Sequence, residues 1–443
     1  MTVVKVNLKP IVFLIGFFFT IGLLYFSKES YNQLILVYSS ITILISMVWL
    51  IKAYAKDGAI LFVLIFLYTY FLAPLPYFLM EIPIVPYVEY TSIYYYTKTW
   101  LLMLSYLLGL CIFTCLLEFK ETGELKKYFQ PRQDMGLIPM LYWVLVIIFI
   151  YLNFRGQAVV NISDNNNFGK YIENLQNQSG ALEYFFILYL IGYSISSSKR
   201  DKVIGVSVFI YYVYFTFICG FRIQMSQMLL LGITLYFGKY LKLKNVLIIS
   251  ILGFFLLQAH GNIKHGSSSF AKIFALSIGN EVRTNQTEVF YSTNNILMTV
   301  IYEEIPLYER INSLLYAFLA TVLPPKFSSN WHATISSLNY SNLPAGGGGL
   351  MVGHYFYWLS IPGVLLCSYL SVLVFRLYQN TNNTIIYLLS CLLIATCFRW
   401  IAYEPIANFF RMGFYFILIY LILINLVKPF KRKNIKYSES YIK

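Results

Sequence analysis

Apolar residues fall into twelve separate stretches along the 443-residue chain, and each stretch ends at a basic cluster or a polar loop. A helix needs roughly 20 apolar residues to cross a bilayer, and lipid offers no partner to an unpaired backbone group. The pattern therefore predicts an all-α polytopic membrane protein with about twelve transmembrane helices. These spans are predicted over residues 10–26, 34–51, 58–80, 99–117, 136–154, 182–198, 203–219, 223–238, 245–259, 351–375, 384–400 and 405–427.

The composition agrees with this prediction. Hydrophobic residues make up 58% of the chain and charged residues only 12%, whereas soluble domains carry about 25% charged residues. No large soluble domain fits, so residues 1–443 are predicted to form a single integral membrane domain. The six cysteines lie in or beside apolar stretches, where Cys acts as a small hydrophobic residue. We expect no metal site and no cofactor, since the sequence has no phosphate-binding loop and no zinc-protease motif.

Lys and Arg residues set the expected orientation, because cytoplasmic loops are enriched in them. Basic clusters flank alternate ends of the predicted spans, beginning with Lys5 and Lys9 and finishing with the tail 428–443. Both termini are therefore expected in the cytoplasm. The net charge of +14 follows mainly from this topology and does not indicate a nucleic-acid partner.

Two stretches are expected on the opposite, extracytoplasmic side. The larger one, residues 260–350, is mostly polar, and its apolar residues between Ile311 and Val322 recur at helical spacing. This segment is predicted to be an amphipathic helix that lies on the outer leaflet and stops at Pro324 and Pro325. The smaller stretch, 155–180, is rich in Asn and Gln. Such amides suit sugar hydroxyls, and a plain solvated loop fits equally well.

Arginines expected near the outer membrane surface are the main binding candidates, because a guanidinium grips phosphate oxygens in a bidentate manner. Arg411 lies inside the last predicted span, Arg222 opens a span that also carries polar residues, and Arg399 closes a span beside Trp400. An ion pair with Glu404, or snorkelling, is the alternative for Arg411. Interface anchoring is the alternative for Arg222 and Arg399.

Two further arginines fall in the large loop. Arg283 has polar neighbours, so substrate contact and simple solvation are both open. Arg310 lies close to Glu303, Glu304 and Glu309, and a surface salt bridge is the favoured interpretation there.

Histidine supplies the candidate general bases, since its pKa lies near neutrality. His332 follows the amphipathic helix and His354 begins a predicted span after four glycines, 346–349. Hydrogen-bonded packing is the alternative role for both. The glycines predict a hinge, or a set of backbone N–H groups presented to a diphosphate.

The layout resembles the Wzy-type O-antigen or oligosaccharide repeat-unit polymerases. Three local stretches carry the resemblance in addition to the topology: Gly220 to Arg222 at the start of a span, the proline motif Leu323 to Phe327, and the passage from the four glycines through Val352–Phe356 into Ile361–Gly363. The resemblance covers nearly the whole chain.

The resemblance implies a GT-C-like membrane glycosyltransferase of surface-polysaccharide and lipopolysaccharide biosynthesis, in the bacterial cytoplasmic (inner) membrane. Its substrate would be an undecaprenyl-diphosphate-linked oligosaccharide, bound on the extracytoplasmic side. In that case Arg222, Arg399 and Arg411 would hold the diphosphate, Arg283 would help to place the acceptor, and His332 or His354 would take the proton.

Partners implied by the resemblance are membrane lipid, a chain-length regulator and a flippase. An O-antigen ligase has the same layout and the same lipid donor, so it stays open as an alternative. A lipid-linked oligosaccharide flippase is a third alternative, although short loops on both sides would be expected of it.

Overall fold

The structure is a computed structural model of the chain. It describes residues 8–27, 32–81, 95–117, 137–160, 167–177, 182–238, 241–264, 277–278, 281–282, 284–302, 305–323, 348–403 and 407–423. Several predicted features lie outside these residues. They are Arg283, His332, the prolines at 324 and 325, Glu404 and the basic tail.

The described residues are helical apart from two short strands. The first helices in chain order are α1 (Lys9–Phe26), α2 (Gln33–Ala53), α3 (Gly58–Leu72), α4 (Leu75–Met80), α5 (Tyr96–Leu116), α6 (Ile138–Phe154), α7 (Asn167–Asn177), α8 (Phe185–Ile195), α9 (Lys199–Ile218), α10 (Arg222–Gly232) and α11 (Leu243–Lys264). A π-helical turn, Ile233–Phe237, extends α10.

Two antiparallel strands of two residues each follow, β1 (Ser277–Ile278) and β2 (Glu281–Val282). The later helices are α12 (Asn285–Tyr302), α13 (Leu307–Val322), α14 (Met351–Leu359), α15 (Ile361–Asn380), α16 (Thr384–Ala395), α17 (Cys397–Trp400) and α18 (Phe409–Leu423). A π-helical turn, Ala407–Arg411, leads into α18.

Among the described residues, seven helices are long and apolar enough to cross a membrane. They are Lys9–Phe26, Gln33–Ala53, Gly58–Met80, Tyr96–Leu116, Lys199–Ile218, Leu243–Ile263 and Ile361–Asn380. This agrees with a multi-pass membrane protein. The predicted number of twelve spans is not confirmed. Among the described residues, four of the other five predicted segments contain shorter apolar helices, and the fifth, 223–238, contains the more polar α10.

The helix α5 is the centre of the bundle, and most of its side chains are buried. It packs against α1 and α2 on one side and against α15 on the other. Tyr106 and Ser371 join α5 to α15 through a hydrogen bond of 2.8 Å between their hydroxyl oxygens. Ser368 also donates to the Tyr106 carbonyl at 3.2 Å, so hydroxyl groups as well as apolar contacts hold these helices together.

The predicted continuous span 351–375 is wrong in one respect: the chain reverses direction at Ser360. The carbonyl of Tyr355 lies against Gly363, where a side chain would clash with it. Residues eight apart in sequence touch only if the two helices fold back on each other, so α14 and α15 form a hairpin. Pro362 favours a helix start at this point, since its fixed φ suits the first turn of α15.

The helix α12 occupies a stretch that was predicted to be loop. It is buried although its sequence is rich in Thr, Ser and Asn. Short polar side chains can enter the bundle because they bond to nearby backbone or to each other, as Thr293 does to the Val289 carbonyl at 2.8 Å. Thr99 of α5 donates to Asn294 at 2.8 Å and fixes α12 against the bundle centre.

The predicted amphipathic helix is present as α13. Its exposed side chains are mainly apolar, and its opposite face packs on α14 and on the π-helical turn before α18. Exposed apolar residues on this helix are Leu307, Tyr308, Ile311, Leu315, Tyr316, Phe318, Leu319 and Val322. Such a face suits contact with lipid.

Candidate functional site

Arg399, at the end of α17, forms an ion pair with a carboxylate that the sequence reasoning did not consider. Its Nη2 lies 2.9 Å from Oε1 of Glu183, just before α8, and both side chains are 25% exposed. The guanidinium also lies over the Tyr403 ring, 5.8 Å from the ring centre. The side chain is therefore held in place while part of its surface stays accessible.

Arg222 reaches the same region from α10. Its Nη1 donates to the Leu257 carbonyl of α11 at 3.4 Å, and the guanidinium packs directly on Gly261, where any side chain would collide with it. Arg222 and Arg399 both act electrostatically on Tyr171 and Tyr403. The two arginines, 177 positions apart in the sequence, thus converge on the same pair of tyrosines.

Tyr171 is placed over this region by a buried amide. Asn174, one turn further along α7, is 1% exposed and bonds to both backbone groups of Ala158 and to the Cys219 carbonyl, the latter at 3.1 Å. The Tyr171 ring packs on Gly220, whose φ of +86° is a conformation that favours glycine. At least one amide of the Asn-rich stretch therefore has a structural role.

Arg411 lies at the end of the π-helical turn before α18. Its Nε donates to the Thr321 carbonyl of α13 at 3.4 Å. It also acts electrostatically on Tyr184, the residue that follows Glu183. We call the set Glu183, Arg222, Arg399, Arg411, Tyr171, Tyr184 and Tyr403 the arginine centre.

Phenol groups of the arginine centre remain protonated near neutral pH. Burial raises the pKa of Tyr171, although the charges of Arg222 and Arg399 lower it in part. Burial likewise raises the pKa of Tyr403, which donates its hydroxyl proton to Oδ1 of Asn285. The centre therefore combines three guanidinium groups with neutral hydroxyls, a set that suits an anion carrying hydroxyl groups, such as a phosphorylated sugar.

The expected surface salt bridge of Arg310 is wrong. Its side chain is 9% exposed, and Nη1 donates to the Tyr357 carbonyl at 2.9 Å and to Ser360 Oγ at 3.3 Å. Arg310 lies near the end of α14, and both oxygens that accept from its Nη1 are neutral. The fold carries this residue inward because α13 turns its apolar face away from α14.

His354 lies on α14, where it is 5% exposed. Its Nε2 has no hydrogen-bond partner among the described residues, and the same holds for the Tyr355 hydroxyl and the Trp358 Nε1. The His354 and Trp358 rings lie 5.8 Å apart between centres, and those of Tyr355 and Trp358 lie 5.7 Å apart. Three polar atoms without a described hydrogen-bond partner thus lie in one buried group.

The start of α14 is joined to the arginine centre by backbone. Met351 N–H donates to the Ile401 carbonyl at 2.7 Å, two residues before Tyr403, and Leu350 N–H donates to Thr293 Oγ1 at 2.8 Å. These N–H groups are used inside the protein. Of the four glycines predicted to present N–H groups to a diphosphate, Gly346 and Gly347 lie outside the described residues. Another histidine, His260, packs against α9, with its Nε2 2.8 Å from the Phe217 carbonyl oxygen.

Arg222 and Arg399 thus converge on Tyr171 and Tyr403, and Arg411 acts on Tyr184 beside Glu183. The start of α14, the helix that carries His354, bonds to the Ile401 backbone. Sequence reasoning missed Glu183, Tyr171 and Tyr403. An acidic residue at the edge of an apolar stretch is the one signal that could have identified Glu183 as a partner for a nearby arginine. Within the described residues, no group of three His, Cys, Asp or Glu side chains could hold a metal ion.

Comparison of the chain with protein-family models, with curated proteins and with solved structures gave no match.

Proposed function

We propose that this protein polymerises the repeat units of a bacterial surface polysaccharide. The substrate would be an oligosaccharide linked to undecaprenyl diphosphate, and the growing glycan would pass to the non-reducing end of another lipid-linked unit. The observation that supports the proposal most is that Arg222 and Arg399 act on the same two tyrosines while Arg411 acts on Tyr184, the residue after the Glu183 partner of Arg399.

The reaction needs positive charge where negative charge accumulates. An acceptor hydroxyl oxygen attacks the anomeric carbon of the donor glycan, and the bond from that carbon to the diphosphate oxygen breaks. The diphosphate leaves with the electron pair, and the three guanidinium groups stabilise it. Stabilisation of this kind is electrostatic and does not depend on a proton transfer.

The hydroxyl proton needs an acceptor in the same step. His354 is the candidate among the described residues, and its Nε2 has no other hydrogen-bond partner there. His332 is the second candidate. Arg283 would help to place the acceptor glycan. The site would open on the extracytoplasmic side of the inner membrane, with both termini in the cytoplasm.

The test is the surface-polysaccharide pattern of a deletion strain complemented with wild type, Arg222→Ala or Arg411→Ala at matched membrane abundance. Arg200→Ala is the control, since Arg200 is exposed at the opposite end of α9 from the arginine centre. We expect both site variants to lose long chains while a single repeat unit stays attached to its acceptor, and the control to behave as wild type.

Other outcomes would point to the alternatives. A complete absence of attached glycan would contradict polymerisation. Lipid-linked units accumulating on the outer leaflet would then indicate an O-antigen ligase, and accumulation on the inner leaflet would indicate a flippase.

A further inference from the structure

The turn between α14 and α15 is strained. Ser360 has φ of 56° and ψ of −136°, a conformation that is rare for a residue with a side chain. Residues are kept in such conformations only where the surrounding structure holds them. The turn has to be this tight because the Tyr355 backbone lies directly on Gly363.

Arg310, on the neighbouring helix α13, bonds to this turn. Tyr357 is in the last turn of α14, where carbonyls lack partners within the helix, and Arg310 Nη1 donates to its carbonyl at 2.9 Å. The same nitrogen lies 3.3 Å from Ser360 Oγ. A cation at this end also complements the dipole of α14.

The location of Arg310 gives the contact a wider role. Arg310 belongs to α13, whose opposite face is exposed and apolar, whereas Tyr357 is three residues after His354 on α14. A single buried side chain therefore links the exposed helix to the helix that carries the candidate base.

We propose that Arg310 is a positioning residue. Its hydrogen bonds to Tyr357 and Ser360, which we call the latch, stabilise the α14–α15 turn and thereby fix the positions of α14 and His354. The latch itself follows from the contacts of Arg310. Its consequence for catalysis rests on the proposed function and on the role of His354 in it.

The latch is tested by amide hydrogen exchange of the purified full-length protein in detergent. Arg310→Gln removes the charged hydrogen bond, so peptides covering 351–364 should exchange about tenfold faster or more than in wild type. Peptides from α5 should keep the wild-type rate. Glu309→Gln is the matched control, because it changes the charge of the neighbouring, exposed position on the same helix.

A rescue variant separates the latch from general destabilisation. Glycine adopts positive φ without strain, so Arg310→Gln combined with Ser360→Gly should recover much of the protection of 351–364. Arg310→Lys keeps the charge and should be protected better than Arg310→Gln. Three results would overturn the latch. Exchange could be unchanged in Arg310→Gln, it could be accelerated equally in α5, or both Ser360→Gly and Arg310→Lys could fail to restore protection.

The catalytic consequence is measured separately, by the surface-polysaccharide pattern. Arg310→Gln should shorten the chains at matched membrane abundance, and the added Ser360→Gly should restore them in parallel with the exchange protection. The exchange rates of the variants could change as expected while the polysaccharide pattern of Arg310→Gln stays wild type. This result would support the latch and contradict its role in positioning His354. Loss of the pattern in Arg310→Gln with unchanged exchange would overturn the proposal as a whole.

Discussion

Two arginines close to the ends of helices, Arg376 and Arg399, have opposite surroundings. Arg376, near the end of α15, donates from Nη2 to the Thr114 carbonyl at 2.8 Å and from Nη1 to Gln379 at 3.1 Å, and it lies 5.3 Å from the centre of the Tyr54 ring. All these partners are neutral. Arg399 instead faces a carboxylate and acts on the same tyrosines as a second arginine, Arg222.

The difference separates a structural arginine from a binding candidate. Thr114 is in the last turn of α5, so its carbonyl needs a donor, and Arg376 supplies one while Tyr54 bonds the Thr114 hydroxyl at 3.1 Å. Helix capping therefore explains the position of Arg376. It does not account for Arg399, which pairs with the Glu183 carboxylate and acts on the same tyrosines as Arg222. Two guanidinium groups and one carboxylate leave a net positive charge among these described side chains.

The largest expected effect is the loss of activity in Arg399→Ala, with Arg376→Ala as the comparison. Arg399→Ala should lower polymerisation per molecule by about a hundredfold or more, since one lost group that stabilises developing charge costs about 10²–10³ in rate. Arg376→Ala should lower membrane abundance and leave the activity per molecule close to wild type. The measurement is the polysaccharide pattern normalised to protein in the membrane. Equal loss per molecule in both variants would contradict the distinction.

The structural role of Arg376 is tested by stability. Arg376→Gln should destabilise the detergent-solubilised protein by about 1.5–3 kcal/mol, the range for a hydrogen bond made by a charged group. Tyr54→Phe should cost about 0.5–1.5 kcal/mol, since it removes one neutral hydrogen bond. Thermal unfolding followed by size-exclusion chromatography measures both. A larger loss in Tyr54→Phe than in Arg376→Gln would place the main contact elsewhere.

Two glycines of α11 offer a matched pair near Arg222. A methyl group at Gly261 would collide with the Arg222 guanidinium, whereas nothing lies within 4 Å of the methyl position at Gly253. Gly261→Ala should displace Arg222 and reduce polymerisation by about tenfold, equivalent to about 1.4 kcal/mol. Gly253→Ala should keep full activity and stabilise the helix by about 0.5–1 kcal/mol. Wild-type activity in Gly261→Ala would argue against a requirement for this position of Arg222.

The smallest effect is expected for the stability of Glu183→Gln. Its ion pair with Arg399 is partly exposed, and such pairs contribute about 0–1 kcal/mol. Unfolding temperature should therefore be nearly unchanged, while inhibition of polymerisation by inorganic diphosphate should strengthen, because Arg399 is no longer neutralised. A large fall in unfolding temperature would show that Glu183 is mainly structural.

Local patterns decided much of the fold. The apolar stretches predicted the seven long helices, and the helical spacing between Ile311 and Val322 predicted α13. Both follow from the periodicity of a helix and from the apolar solvent, which a sequence carries residue by residue. The hairpin at Ser360 and the buried α12 were missed, because they depend on which surfaces meet: a polar helix is stable inside the bundle only after Thr99 and neighbouring groups supply its hydrogen bonds.

The candidate site divides in the same way. Sequence alone identified Arg222, Arg399, Arg411 and His354 as chemically suited groups, since charge and titration are properties of the residue type. Only the tertiary structure decided that Arg222 and Arg399 converge on Tyr171 and Tyr403, that Glu183 pairs with Arg399, and that Arg310 turns inward to the end of α14. These facts depend on contacts between residues far apart in the chain, and no local pattern encodes such contacts.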